Sequence, residues 1–300
     1  MKNKDEARFF NMNIGRNWGS SGIGQVAVFF CAVFWSTSGL FIKLIDWNPF
    51  VIAGIRSLIA GLFMIAVRFL SQRRREPFKL RYLWPGGIAY SAAMLTFCVA
   101  NKLTTAANVI LIQYSAPIWA ALLGWTLAKE KPRPVNWISL AMVMGGLFIF
   151  FKDGLGGGSF TGNMLALISG ICFGANSVFL RIQKEGNTAD SMLLAHILTA
   201  IASIPFMFTY PPSFSVGNTA AILFMGIVQI GIASLLFAYG IRRITAVEAM
   251  LTAAVEPILN PVWVLLVIGE KPTLSALLGG AVIIAAVLVS ALGFQRRRTT

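Results

Sequence analysis

Apolar residues in this chain fall in long runs, and each run stops at a cluster of charged or turn-forming residues. The runs lie at about 23–43, 49–70, 82–101, 104–128, 134–151, 161–180, 190–209, 218–240, 247–268 and 273–293. Most come close to the roughly 20 residues that a helix needs to cross the hydrocarbon core of a bilayer. In lipid a spanning backbone must satisfy its own hydrogen bonds, which a helix does within one segment. The pattern therefore predicts an all-α polytopic membrane protein with ten transmembrane helices. Local signals agree. Asn48-Pro49 places a capping residue before a proline suited to the first helical position of the second run. Pro132 and Pro134 mark the start of the fifth run, and Pro272 that of the tenth.

The chain also contains a copy of itself. Thr105-Ala106, Leu111, Pro117-Ile118 and Glu130-Lys131-Pro132 recur as Thr245-Ala246, Leu251, Pro257-Ile258 and Glu270-Lys271-Pro272, always 140 positions later. Weaker echoes share the frame: Arg56 matches His196 at 140, and Phe41-Ile42-Lys43 matches Phe179-Leu180-Arg181 at 138. Five runs per copy is an odd number, so the second copy enters the membrane upside down. The expected organisation is a tail at 1–22, a first repeat at 23–152, a Gly-rich linker at 153–160, a second repeat at 161–293 and a basic tail at 294–300. Inverted repeats with paired helix breaks are a mark of secondary transporters.

Composition narrows the class further. The chain is 57% hydrophobic and 12% charged, with a net charge of +14. Taking the amino-terminus as cytoplasmic, 20 of the 25 Lys and Arg residues fall on the inner side and four (Lys43, Lys102, Lys152, Lys271) on the outer; Arg56 lies inside the second run. That asymmetry follows the positive-inside rule and predicts both termini in the cytoplasm. The positive charge thus orients helices and attracts anionic lipid heads; nucleic acid is not an expected partner. The first 22 residues are polar, carry Asp5 and Glu6 and lack a small-residue cleavage signal, so no signal peptide is expected. Cys31, Cys98 and Cys172 lie in apolar runs without Cys-x-x-Cys spacing, and His196 is the single histidine. No metal site, disulfide framework or cofactor is expected. The Gly-rich linker lacks the Gly-Lys-Ser/Thr of a phosphate loop.

In lipid the informative residues are polar, because a charge at mid-depth costs about 2.5–3.5 kcal/mol on the insertion scale. Glu256 lies about ten residues into the ninth run, just before Pro257, which removes a backbone hydrogen bond. Steps of four give Glu248, Thr252, Glu256 and Asn260, with Trp263 next, so the spacing predicts a polar stripe facing a wet cavity. The fourth run carries Thr104, Asn108 and Ser115 near one face, with Pro117 at the matching break. Prolines paired in this way point to a substrate site near the midplane, or to a kink shared by ancestry. Arg56 can bind an acidic substrate group, pair with a carboxylate or snorkel outward. His196 suits a satisfied packing histidine more than a proton carrier, and Asn101, Gln113, Asn176 and Gln229 suit interhelical hydrogen bonding. Trp35-Ser36, Tyr114 and Tyr239 can supply cavity walls or packing. Gly170-x-x-x-Gly174, Gly145-Gly146 and Gly279-Gly280 suit close helix contact.

The chain resembles the EamA family of the drug/metabolite transporter superfamily. The resemblance rests on Phe34-Trp35-Ser36-Thr37 in the first run, Arg56, Ala253-Ala254-Val255-Glu256-Pro257, Gly269-Glu270-Lys271 and Lys129-Glu130-Lys131. It covers about residues 23–293 as two EamA repeats and implies ten helices, cytoplasmic termini, a central cavity and movement of amino acids, other small metabolites or drugs, often outward. The chain departs from the symmetrical pattern at Ala116, whose counterpart is Glu256, so a mechanism of two matched carboxylates is not implied.

The expected function is secondary transport of a small metabolite, an amino acid or related compound exported across the cytoplasmic membrane by alternating access. The five-helix halves would move against each other around a cavity lined by helices 1, 3, 4, 6, 8 and 9. Glu256 would hold a substrate cation or carry a coupling proton. The candidate site comprises Glu256, Asn260, Thr252, Arg56, Asn108, Trp35, Ser36, Tyr114, Asn176 and Tyr239, with breaks at Pro117 and Pro257. The expected partners are a small-molecule substrate, the lipid bilayer and a coupling proton, in a monomer or homodimer. An enzyme would need a converging nucleophilic, paired-carboxylate or metal constellation, which one histidine and few mid-run carboxylates do not supply. The alternative is a passive channel or a lipid- or drug-handling membrane protein of the same fold.

Overall fold

Proline and capping residues set the helix starts. The side chain of Asn48 accepts a hydrogen bond from the Phe50 amide at 3.0 Å and Pro49 takes the first helical position; Pro134 takes the first position of the fifth helix, with no side-chain cap from Arg133 before it. A computed structural model describes residues 20–37, 41, 45–71, 80–155, 159–268 and 273–295. Lys43, the tail to residue 19, Gly156–Gly158 of the linker, Gly269-Glu270-Lys271 and residues from 296 onward lie outside the described residues.

The elements are α1 (Ser20–Trp35), α2 (Pro49–Leu70), α3 (Leu80–Leu103), α4a (Ala106–Gln113), α4b (Ala116–Thr126), α5 (Pro134–Phe151) and α6 (Phe160–Ile182). There follow α7 (Thr188–Thr209), α8 (Val216–Gly240), α9a (Ala246–Ala253), α9b (Glu256–Ile268) and α10 (Leu274–Gln295). No strand occurs among the described residues. Among them, eight helices are long and apolar enough to cross a membrane, against the ten expected. The first helix reaches Trp35, where Ser36 and Thr37 form a turn and their hydroxyls donate back to the Val33 and Phe34 carbonyls at 2.6 and 2.8 Å. The ninth run is cut at Ala254–Val255 as the fourth is at Tyr114–Ser115.

The halves do not pack side by side. α1 packs on α8 and α3 on α6; α2 packs on α7 and α8, and α3 on α7; α4 packs on α6, and α1 on α9a; α5 packs on α10. Each pairing joins one copy to the other and is either its own mate under the repeat or has one. The expectation of two intact five-helix halves moving against each other is therefore corrected: the helices of the two copies interleave, and no boundary separates five from five. Close approach at α5 and α10 needs glycine, since a Cβ on Gly279 would lie 2.5 Å from the Gly146 carbonyl oxygen.

Candidate substrate site

Both copies break at the same place. α4a stops at Gln113 and α4b starts at Ala116; α9a stops at Ala253 and α9b starts at Glu256. Pro117 and Pro257 follow the restart in each case, where a missing amide costs least. Helix 6 lies directly on the first break, because Gly170 and Gly174 carry no side chain. A Cβ there would meet the Gln113 carbonyl oxygen at 2.9 Å and the Ala116 carbonyl oxygen at 2.7 Å.

The two breaks meet through one hydrogen bond: Tyr114 Oη donates to Glu256 Oε2 at 2.8 Å. Glu256 also opens α9b, where the positive end of the helix dipole favours a carboxylate by about 0.3–1 kcal/mol. Cys31 of α1 and Tyr90 of α3 lie in the same buried core cluster as Ala116 and Ala253, which flank the two breaks. An aromatic cluster adjoins: Trp35 is 5.7 Å from Phe173 and 5.4 Å from Phe237, and Tyr90 is 6.1 Å from Phe173 (ring centroids). Side chains of helices 1, 3, 6 and 8 thus meet in this cluster, and His196 of α7 joins it edge-on to Tyr90.

Arg56 is 8% exposed and its Nε has no hydrogen-bond partner. It pairs with no carboxylate among the described residues. His196 Nε2 lies 2.9 Å from Ser234 Oγ, and its ring meets Tyr90 edge-on at 5.9 Å. Asn176, fully buried, and Gln229, 1% exposed, have no partner at either amide atom. Gln229 lies in a π-helical segment of α8, Met225–Ile232. Such segments widen the helix and are frequent at functional sites.

Several candidates lie elsewhere. The expected polar stripe is interrupted, because the turn at Ala254–Val255 resets the helical phase between Thr252 and Glu256. Glu248 accepts from Arg133 Nη2 at 2.6 Å and from the Thr245 amide at 3.0 Å, while Thr252 donates to the Glu248 carbonyl at 2.8 Å. Asn108 is the matching residue near the other end of the bundle, where its amide nitrogen donates to Thr105 Oγ1 at 3.2 Å and its Nδ2 to Thr104 Oγ1 at 3.4 Å. Ser36 accepts from Trp263 Nε1 at 2.7 Å, tying the end of α1 to α9b. Tyr239 is 41% exposed and stacks under Arg243 at 3.5 Å, away from Glu256. The side chain of Asn260 lies outside the described residues. Tyr90 and Cys31 were not among the candidates. Tyr90 is a tyrosine inside an apolar run, the same signal that marks Tyr114.

Space is distributed unevenly. Beside Tyr114 a cavity of about 10 Å³ is lined by Gln113, Ala116, Pro117, Phe173, Met250 and Ala253. That is close to the smallest volume that holds one water. A larger cavity of about 380 Å³ opens at the end of the bundle rich in arginine, between α2, α7 and α8, with Arg68, Asp190, Tyr239 and Arg242 in its wall. Glu256 itself is half-buried and lines neither cavity.

At that basic end, ion pairs cross between the copies. Arg68 pairs with Asp190, Arg133 with Glu248, and Arg181 Nε with Glu130 at 2.6 Å. Glu130 is delivered by a left-handed turn: Lys129 has φ 58°, and the Glu130 amide donates to the Gly124 carbonyl at 3.0 Å. That closes the helix end in the manner usually served by glycine, and the matching position in the second copy is Gly269.

The chain is similar to known proteins over most of its length. The uncharacterized transporter YwfM of Bacillus subtilis (strain 168) is 24% identical over 290 residues, 92% of this chain and 96% of that protein. The uncharacterized inner membrane transporter YedA of Escherichia coli (strain K12) is 26% identical over 252 residues, 77% of this chain and 78% of its own. A solved crystal structure superposes with a TM-score of 0.77 at 21% identity, covering 91% of this chain and 98% of that one; this likeness is one of fold. The EamA-like transporter family matches residues 22–152 and again 160–292. With two family repeats, apolar spanning helices and relatives described as transporters, the chain is a multi-pass membrane protein and belongs to the EamA-like transporter family.

Proposed function

We propose that this protein is a secondary transporter that exports a small polar or amphipathic metabolite, an amino acid or related compound, from a bacterial cell by alternating access. The observation that carries the reading is the Tyr114–Glu256 hydrogen bond, which places a carboxylate where both helix breaks meet. In this reading ten helices span the membrane as inverted repeats at 23–152 and 161–293. The linker is 153–160 and the tails are 1–22 and 294–300. The basic end faces the cytoplasm, as the distribution of Lys and Arg supports. No enzymatic step is proposed.

Glu256 holds the cationic group of the substrate or a coupling proton, oriented by the Tyr114 hydroxyl. Trp35, Phe173 and Phe237 supply an apolar wall and keep water out. The cross-copy ion pairs Arg68–Asp190, Arg133–Glu248 and Arg181–Glu130 tie the two copies together at the basic end, beside the cavity that Arg68 and Asp190 help to wall. Opening that end separates them, and the backbone gaps before Pro117 and Pro257 absorb the bend.

Counterflow in proteoliposomes tests the reading. A panel of labelled amino acids, amines and nucleosides is offered to vesicles loaded with the same unlabelled compound. A carrier accumulates label transiently and is accelerated by trans-substrate. A pore, or a protein that only handles lipid, shows no acceleration, and that result sinks the proposal.

A further inference from the structure

Helices α2 and α8 touch and then part. Where they touch, α8 is π-helical and presents two glycines to α2. A Cβ on Gly226 would lie 2.5 Å from Ile59, and one on Gly231 2.9 Å from the Phe63 ring. Beyond that contact, toward the basic end, a gap takes over. Met64, Val67 and Arg68 of α2 and Leu235, Ala238 and Tyr239 of α8 line the cavity of about 380 Å³, and the start of α7 completes its wall. That volume lies in the range of small-molecule sites, about 300–1,000 Å³. The wall is graded in polarity. Met64, Leu193 and Ala238 are buried, at 3%, 5% and 2% exposure, whereas Ser71, Glu185, Asn187 and Arg242 are exposed. Tyr239, 41% exposed under Arg243, is an amphipathic ring of the kind found at the headgroup level. Next to Arg68, Phe69 and Leu70 are 62% and 81% exposed, so apolar surface borders the cleft. The mate of this cleft under the repeat, between the start of α2 and the end of α7, is filled. There the position matching Asp190 is Phe50, stacked on Phe206 at 4.1 Å, and a Cβ on Gly54 would lie 2.4 Å from Ser203. The repeat therefore does not require the space; it belongs to the basic end.

Charge at the mouth selects the head of a ligand. Arg68 is taken by Asp190. Arg242 spends its Nε on the Lys184 carbonyl at 2.7 Å and has no carboxylate partner among the described residues. Against Glu185 stand Lys184, Arg242 and Arg243, so the mouth is net positive, and after Ser71 the chain continues in sequence as Gln72-Arg73-Arg74-Arg75-Glu76. The first residues of α7 add the positive end of a helix dipole. We propose that this cleft holds one acidic phospholipid, its phosphate on Arg242 and the start of α7 and its first acyl carbons on Met64, Leu193, Leu235 and Ala238. Basic pockets between spanning helices take anionic headgroups in this way. A soluble phosphate compound shares the headgroup chemistry but offers nothing to the apolar part of the wall. The site lies apart from the helix breaks, and its occupancy is measured without transport, so its failure leaves the transporter reading standing.

The full-length protein in detergent tests this by titration with phosphatidylglycerol, with phosphatidylcholine of the same acyl chains, and with glycerol phosphate. Native mass spectrometry of the complex and the ligand-dependent rise in melting temperature are both read. One phosphatidylglycerol should be retained, with phosphatidylcholine at least about tenfold weaker and glycerol phosphate without effect at the same concentrations. Arg242→Gln should weaken phosphatidylglycerol by about fivefold, as expected for one basic residue at the headgroup. Ala189→Leu narrows the cleft without changing its charge and should weaken binding as well. Arg298→Gln removes the same charge from the carboxy-terminal tail and should leave retention unaltered. The wild-type comparison of the three ligands stands even if the variants fail to fold. Equal retention of the two lipids, no retained lipid, or equal weakening by Arg242→Gln and Arg298→Gln overturns the inference. A melting response to glycerol phosphate that matches the lipid response assigns the cleft to a soluble phosphate and overturns it too.

Discussion

Tyr114 and Glu256, 142 positions apart in the chain, share a 2.8 Å hydrogen bond that fastens the break of one repeat to the break of the other. Neither has a like partner at its matching position: the counterpart of Tyr114 is Ala254, and that of Glu256 is Ala116. An approximately symmetrical scaffold thus carries an asymmetric contact at its centre. Removing the hydroxyl leaves the carboxylate short of a charge-assisted hydrogen bond, worth about 1.5–3 kcal/mol. Tyr114→Phe should therefore lower apparent substrate affinity in counterflow by about tenfold or more, with the protein still folded by size-exclusion and thermal melting. An unaltered affinity would mean the bond plays no part in binding.

Glu248 serves two structures at once. It closes the capping box at the start of α9a with Thr245 and receives Arg133 from the other copy, at 2% side-chain exposure. Arg133→Gln strands a buried carboxylate and should cost about 2–3 kcal/mol, somewhat less than a fully buried pair because the Arg133 side chain is 25% exposed. Glu248→Gln keeps a side chain that can still cap and should cost less. The double variant should be milder than Arg133→Gln alone, since no unpaired carboxylate remains. Thermal melting of the four proteins as a cycle reads this directly; additive losses would contradict it.

Glycine at the first break is required by space. Gly174→Ala places a methyl 2.7 Å from the Ala116 carbonyl oxygen, a backbone atom that cannot rotate away. It should destabilise the protein by about 1–3 kcal/mol and lower transport. Gly145→Ala meets nothing within 4 Å and should be tolerated, or slightly stabilising, since alanine favours the helix by about 1 kcal/mol. Melting temperatures of both variants, with counterflow rates for the first, check the contrast.

The inverted arrangement has a topological consequence. Lys131 and Lys271 occupy matching positions, so Lys131→Cys and Lys271→Cys should label from opposite faces of the membrane with an impermeant maleimide. The first should react only in inside-out vesicles and the second in intact cells. Reaction of both from one face would show that the repeats run in the same sense.

Much of this was legible from spacing alone. The 140-residue echo and its matched prolines announce two breaks, because a proline early in a helical piece leaves a gap in the backbone ladder whatever surrounds it. Glu256 and Arg56 stand out because lipid makes every charge expensive. What spacing could not supply is phase beyond a break. Steps of four carry Glu248 and Thr252 onto the face of Glu256 only if the helix is continuous, and the turn at 254–255 sets the two pieces apart. Tyr239 follows the π segment of α8, whose wider turns rotate everything after it away from 3.6-residue spacing. Tyr90 and Cys31 join the core cluster that flanks the breaks through the packing of α1 and α3 against the other copy, a relation that no local pattern encodes. The interleaving of the copies belongs to the same category: a repeat fixes which helices correspond, whereas side-chain packing decides which ones touch.

The most direct test of a carrier centred on Glu256 is exchange by reconstituted wild-type and Glu256→Gln protein, with and without a pH gradient, using the labelled compound that the wild type transports best. The account predicts that the wild type is accelerated by trans-substrate and that Glu256→Gln, still folded, exchanges at least about tenfold more slowly and loses any response to the gradient. Exchange by Glu256→Gln at the wild-type rate and with the same pH response would contradict it.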